Sequence, residues 1–301
     1  MAGARRFGGV MGPMVTPFKA DESLDIPGFE QNVRGHIAAG LHGVLVAGST
    51  GEAALLGDDE RRILTEAARK LVPDDRTLLV GTGAESTRHC IARCRDAASS
   101  GADAVLVVAP HYYSSSMSPA ALKAHFTRVA DESPIPVLLY NTPKYMHFRL
   151  EPELIADLSK HENIRGMKDS AGDMAYFARY AESQGDTFDV MTGHGGTFAT
   201  ALSLGARGGI LAVALFAAEL ALEVWHAHND QRTADAEAAQ KPLVPMAAEI
   251  VARMGVPGVK AAMDRVGLVG GHVRLPLLPT PAADLAVIEA LLSESAVANR
   301  R

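Results

Sequence analysis

A lysine, a tyrosine and a Ser-Thr-Gly turn stand at the ends of short apolar runs in this 301-residue chain. Lys168 follows Ile164, Gly166 and Met167. An amine at the end of such a run loses hydration, which disfavours the ammonium and lowers a pKa that is ordinarily about 10.4. A neutral amine is the nucleophile that forms a Schiff base with a ketone. The competing reading is a lysine held in an ion pair, for which adjacent Asp169 is the obvious carboxylate. Tyr140 closes another apolar run, Pro136 to Asn141. A phenol near the amine would move protons during carbinolamine formation and carbon–carbon cleavage; taken alone it is an ordinary rim residue. Ser49 and Thr50, followed by Gly51, offer hydroxyls and backbone N–H groups to a carboxylate, although the same residues suit a plain turn. Together, an amine, a phenol and an anion-binding turn form a specific combination.

These residues must be carried to one place by the elements around them. Eight apolar, β-branched runs read as strands: 8–15, 44–48, 77–83, 104–110, 136–141, 164–169, 188–193 and 208–213. They are apolar on both faces, as in a parallel sheet covered by helices. The intervening segments read as helices. Ser118-Pro119 is an N-cap followed by Pro at the first helical position, with Leu122, Phe126 and Val129 on one face. Leu154, Ile155 and Leu158 follow Glu151-Pro152 in the same way, and Asp58-Asp59-Glu60 places acids at another helix start. This alternation predicts an α/β fold, a (β/α)8 TIM barrel, with chemistry at the carboxyl ends of the strands. A doubly wound sheet fits less well, because no Gly-x-Gly-x-x-Gly follows the first strand. The expected division is a catalytic barrel over 1–225 and a C-terminal helical extension over 226–301 packed on it, with breaks at Pro242, Pro257 and Gly270-Gly271.

Composition narrows the function classes. Net charge is −6 and no basic face is evident, so neither nucleic acid nor an anionic membrane is an expected partner. The apolar stretch 208–224 contains Glu219 and Glu223 and is too short for a membrane span. MAGARRFGGVMGPM, interrupted by Gly and Pro, does not read as a signal peptide. Cys90 and Cys94 cannot build a disulfide framework, so the expected compartment is the cytoplasm and the expected role of both thiols is buried packing. His111, His147 and His194 lack a ligand spacing, so no metal is expected.

The motifs Gly-Ser-Thr-Gly-Glu (48–52), Pro-x-Tyr-Tyr (110–113), Tyr-Asn-x-Pro (140–143) and Gly-x-Lys-Asp-Ser (166–170), with Thr16-Pro17-Phe18, resemble the dihydrodipicolinate synthase/N-acetylneuraminate lyase family in order and spacing, to about residue 290. The resemblance implies a Schiff-base barrel enzyme acting on pyruvate or a 2-oxo acid, a homotetramer built from tight dimers, with no cofactor beyond the covalent imine. Carried over motif by motif, it makes Lys168 the imine-forming lysine and Tyr140 the proton-relaying phenol. Ser49 and Thr50 then hold the pyruvyl carboxylate, and Gly193 and Ile210 line the pyruvyl pocket. Tyr112 matches the tyrosine passed across the dimer interface into the neighbouring site.

The resemblance also bears on the substrate. The synthases proper have an arginine five residues after the catalytic tyrosine; here that position is Tyr145, within Lys144-Tyr145-Met146-His147. A tyrosine cannot supply the bidentate fork of a guanidinium. Gly81 to Thr87, His111-Tyr112-Tyr113 and Gly166 to Ser170 look most like the 4-hydroxy-2-oxoglutarate aldolase branch. The expected reaction is therefore retro-aldol cleavage of a 4-hydroxy-2-oxo acid to pyruvate and an aldehyde, or the reverse condensation. Lys144, Tyr145, His147 and His194 are expected to set specificity. The alternatives are dihydrodipicolinate synthase proper, a sugar-acid dehydratase using the same imine, and a ligand-binding homologue without turnover.

Overall fold

The computed structural model describes residues 6–295. All eight expected strands form: β1 (Gly9–Pro13), β2 (Gly43–Val46), β3 (Thr77–Gly81), β4 (Ala104–Val108), β5 (Val137–Asn141), β6 (Ile164–Asp169), β7 (Asp189–Thr192) and β8 (Gly208–Ile210). They pair in parallel, each with the next, and β8 closes on β1 to complete a barrel. The covering helices are α1 (Ile26–Ala38), α2 (Asp58–Arg69), α3 (Thr87–Ser99), α4 (Pro119–Glu132), the single turn α5 (Pro143–Met146), α6 (Pro152–Leu158), α7 (Met174–Ala181), α8 (Phe198–Ser203) and α9 (Ala218–Asn229). Beyond them run α10 (Thr233–Met246), α11 (Gly255–Arg265) and α12 (Ala282–Glu294). The position expected to divide barrel from extension, residue 225, falls inside α9.

Local chemistry explains where these helices start. In α4 the Ser118 hydroxyl accepts from the Ala121 N–H at 3.2 Å and Pro119 occupies the first turn, where a missing N–H removes no hydrogen bond. Asp58, Asp59 and Glu60 open α2, placing negative charge on the positive end of its dipole. The tail breaks as expected at Gly270-Gly271, between α11 and α12, and departs from expectation at its prolines. Pro242 lies within α10, together with Pro245, and Pro257 lies in the first turn of α11. Pro257 is tolerated because first-turn N–H groups have no intrahelical partner, whereas the two interior prolines remove helical donors. A π-helical segment, 247–253, follows Pro245 directly and carries the chain into α11.

Two apolar layers follow from the two-residue period of the strands. Met11, Leu45, Leu79, Leu106, Leu138, Met191 and Ile210 fill the barrel interior, and Tyr140 tops that layer. Val44, Val105, Val137, Leu139, Met167 and Val190 face outward into the shell of helices.

Candidate active site

Strand register brings the two reactive groups together. Tyr140 and Lys168 are direct partners across β5 and β6, and Lys168 pairs in turn with Met191 of β7. Tyr140 belongs to the interior layer, and the Lys168 Nζ lies 4.7 Å from the centre of its ring. Asp169, one residue on, faces the opposite way. Its carboxylate accepts from Asn141 Nδ2 at 2.6 Å, and Asn141 Oδ1 receives the Leu150 N–H at 3.0 Å. The ion-pair reading of Lys168 with Asp169 is therefore excluded: consecutive strand residues occupy opposite faces, and the carboxylate serves the outer layer.

Burial then sets the electrostatics. Lys168 is only 5% exposed. Desolvation lowers its pKa from the ordinary lysine value, with Tyr140 acting in the opposite sense. Burial alone pushes the Tyr140 phenol up, but the Lys168 charge and the hydroxyls of Ser170, Thr142 and Ser49 outweigh it and leave the phenol below its ordinary value. Both groups thus lie below their ordinary values, and each gives up a proton more readily than it would in water. Asp169 is pushed up to about 6, chiefly by burial.

The Ser49–Gly51 segment is one turn of 3-10 helix at the end of β2, closed by Gly51 N–H donating to Gly48 O at 2.9 Å. The Thr16 hydroxyl donates to Gly51 O at 2.7 Å and ties this turn to the segment after β1. Ser49 is among the hydroxyls that lower the Tyr140 phenol, so the turn and the phenol share one end of the barrel. Gly193 has no room for a side chain: a Cβ there would stand 2.0 Å from Ser170 Oγ and 2.5 Å from Lys168 Cε. Ile210 is fully buried in the interior layer.

A cleft of about 850 Å³ meets this site at Ser49; Thr142 and Tyr145 border it and Leu55, Val256 and Leu277 wall it, while Lys168 and Tyr140 lie outside its lining. Of the four residues expected to set specificity, Tyr145 alone borders this cleft. The Lys144 ammonium donates instead to the Ala252 carbonyl at 2.9 Å. His147 caps α5 in the left-handed conformation, φ 62°, with an exposed side chain. His194 bonds Thr197 Oγ1 through Nδ1 at 3.0 Å and packs on Gly172. Tyr112 stands outside the cleft, 76% exposed and edge-on to Tyr113. Its loop is pinned by the Glu85 carboxylate, which accepts from the N–H groups of His111 and Tyr112 at 3.0 and 2.8 Å. Among the described residues no group of three or more His, Cys, Asp or Glu side chains could hold a metal ion. Among them, too, no helix is long and apolar enough to cross a membrane.

Sequence reasoning missed a second buried amine. Lys260 of α11 is 2% exposed and lies 2.5 Å from the carboxylate of Glu52, which is itself buried. The signal was present, since Lys260 follows Val-Pro-Gly-Val and precedes Ala-Ala-Met, the same apolar context that singled out Lys168. The partner separates the two: Lys260 has a carboxylate, Lys168 a phenol.

Comparison with known proteins agrees with this architecture. The model of the dihydrodipicolinate synthetase family matches residues 6–295. The chain is 37% identical over 295 residues to the 4-hydroxy-tetrahydrodipicolinate synthase of Xanthomonas axonopodis pv. citri, covering 95% of this chain and 96% of that one. Among solved structures, it superposes on the prophage protein YagE from E. coli K12, determined in complex with pyruvate, with a TM-score of 0.90 and 30% identity over 97% of this chain and 99% of the other. The dihydrodipicolinate synthase DapA-2 of Bacillus anthracis gives a TM-score of 0.92 at 29% identity, over 96% and 99% of the two chains. The barrel, its eight parallel strands and the match across nearly the whole chain lead to one conclusion: this protein belongs to the dihydrodipicolinate synthetase family, carbon–carbon lyases of the class I aldolase type that work through a lysine Schiff base to pyruvate.

Proposed function

We propose that this chain cleaves a 4-hydroxy-2-oxo acid to pyruvate and an aldehyde, or runs the reverse condensation, through an imine on Lys168. The observation that carries the reading is the pairing of a buried Lys168 amine, free of the neighbouring carboxylate, with Tyr140 directly across the strand register. In this scheme the amine attacks the C2 carbonyl, and loss of water leaves a protonated imine. Tyr140 takes the proton of the C4 hydroxyl; the C3–C4 bond breaks, its electron pair passing to the imine as an enamine, and the aldehyde departs. Reprotonation at C3 and addition of water to the imine release pyruvate and restore the amine. The Ser49 and Thr50 hydroxyls and backbone hold the pyruvyl carboxylate, with Gly193 and Ile210 lining the pocket. The working assembly is a cytoplasmic homotetramer in which Tyr112, outside the cleft of its own chain, serves the site of a second copy.

A second reading has support from the curated relatives, which carry the name 4-hydroxy-tetrahydrodipicolinate synthase. It would condense pyruvate with aspartate semialdehyde through the same imine. Tyr145 speaks against it: a phenol stands where that reaction would use a guanidinium, and Lys144, the nearest cation in sequence, is committed to the Ala252 carbonyl.

Borohydride trapping with pyruvate, read by peptide mass spectrometry, tests the chemistry. A reduced adduct on Lys168, absent in a folded Lys168→Ala variant that also lacks turnover, is the expected result. Retained turnover in that variant, or no adduct in the wild-type protein, overturns it. Product analysis with glyoxylate and with aspartate semialdehyde as the aldehyde then separates the two readings.

A further inference from the structure

The anion-binding turn is braced from outside the barrel, by a segment with no part in the expected chemistry. Glu52, the last residue of the Gly-Ser-Thr-Gly-Glu motif, sits in the left-handed region at φ 57° and buries its carboxylate completely. Its N–H donates to Ser49 O, and the next N–H, of Ala53, donates to Gly48 O, both at 3.2 Å, so Glu52 ends the same turn that presents Ser49 and Thr50. The side chain reaches into the tail. Lys260 lies 2.5 Å from one carboxylate oxygen, and the Arg274 N–H donates to the other at 3.0 Å. The Lys260 ammonium also donates to His272 O, and the His272 N–H returns to Phe18 O at 2.9 Å. Phe18 lies beneath both cations, its ring centre 4.7 Å from Lys260 Nζ and 4.1 Å from the Arg274 guanidinium carbon. Arg274 is fixed further by the Leu55 and Glu22 carbonyls and by Glu60.

Two charges buried at this depth are costly to desolvate, and well-packed hydrophobic residues of similar volume often stabilise a fold as well or better. A stability role therefore explains the pair poorly. What the pair supplies is position. It ties α11 to the turn at the end of β2, where displacements below an ångström decide whether hydroxyls and N–H groups meet a carboxylate. Thr16 and Phe18, from the segment after β1, complete the brace.

We infer that the buried Glu52–Lys260 pair is a positioning device for substrate binding, through which the C-terminal extension holds the Ser49–Thr50 turn in register with Lys168. This deepens the proposed function and rests on Ser49 and Thr50 as the carboxylate site. Neither Glu52 nor Lys260 touches the reacting atoms, so the expected effect is on pyruvate affinity more than on the imine step.

Borohydride trapping titrated with pyruvate reads both. It is applied to the wild-type chain, to Lys260→Met, to Glu52→Gln, and to the variant carrying both substitutions. The double variant buries no unpaired charge, and so keeps the test open if a single variant does not fold. In folded variants the half-saturating pyruvate concentration is expected to rise about tenfold, while the Lys168 adduct at saturation stays near wild type. A rise of less than about threefold in the folded double variant overturns the inference alone and leaves the pair a structural contact. Absence of any Lys168 adduct in the wild type overturns the proposed chemistry, and this inference with it.

Discussion

At the scale of single residues, the site is built from groups whose neighbours leave them one option. Lys168 has lost water and the adjacent carboxylate together, since Asp169 faces the outer layer, so a neutral amine is stabilised without an ion pair. Gly193 shows how tightly the amine is seated. In Gly193→Ala the new methyl would stand 2.5 Å from Lys168 Cε and 2.0 Å from Ser170 Oγ, and the lysine must swing aside. Its φ is not in the left-handed region, so the effect is one of space and not of backbone strain. Single-turnover trapping with pyruvate should slow by about 10- to 100-fold, the scale expected for misplacing a reacting group by an ångström. A rate within a factor of about two of wild type would contradict this seating.

Elements carry these residues, and the opposite end of the barrel shows what holds the elements in place. Asp189 opens β7 with its side chain 2% exposed; it accepts the Phe7 N–H at 2.8 Å and pairs with Arg6 Nη2 at 2.6 Å. Arg207, beside β8, approaches the same carboxylate at 3.6 Å. The N-terminal segment is thereby sewn to β7 and β8, where the barrel closes. Because Arg6 and Arg207 remain substantially exposed, solvent screens the ionic part, and the buried Phe7 N–H dominates the cost of losing the carboxylate. Asp189→Ala should lower unfolding free energy by about 2 kcal/mol in urea titrations. Turnover of the folded fraction should be unchanged, since chemistry sits at the other end of the strands; a drop in turnover would place Asp189 in the wrong role.

For the molecule as a whole, buried titratable groups in the helical shell shape stability against pH. His36 and His125 are both lowered to about 4, chiefly by burial. Unfolded histidine titrates near 6.5, so the unfolded chain binds protons first as pH falls, and stability present above pH 6.5 is lost down to pH 4. Asp169, raised to about 6, acts in the opposite sense: its folded form takes up a proton before the unfolded one does. Each contribution is roughly 3 kcal/mol, and with two histidines against one aspartate the net is a loss of about that size between pH 7 and 4. Denaturant melts across this range should show the decline, and His36→Gln should flatten it. A flat wild-type profile would mean that these side chains hydrate in the folded state.

The sequence alone determined the barrel, because a parallel sheet buried on both faces must be written as short apolar runs separated by amphipathic helices, and each run was marked by its Gly, Pro or Asp neighbours. It also singled out Lys168, Tyr140 and the Ser49–Thr50 turn, since polar groups at the ends of such runs are conspicuous. Pairing was legible only in part. The opposed faces of Lys168 and Asp169 follow from strand alternation, yet the partner Tyr140 depends on the register between β5 and β6. Where Lys144, His147 and His194 point was decided by tertiary structure, through the Ala252 carbonyl, a left-handed cap and Thr197. The joining of Glu52 to Lys260, more than 200 residues apart in the chain, was decided the same way. Periodicity records which side of its own element a residue occupies, whereas contacts between distant elements arise only when the barrel closes and the tail packs back onto it.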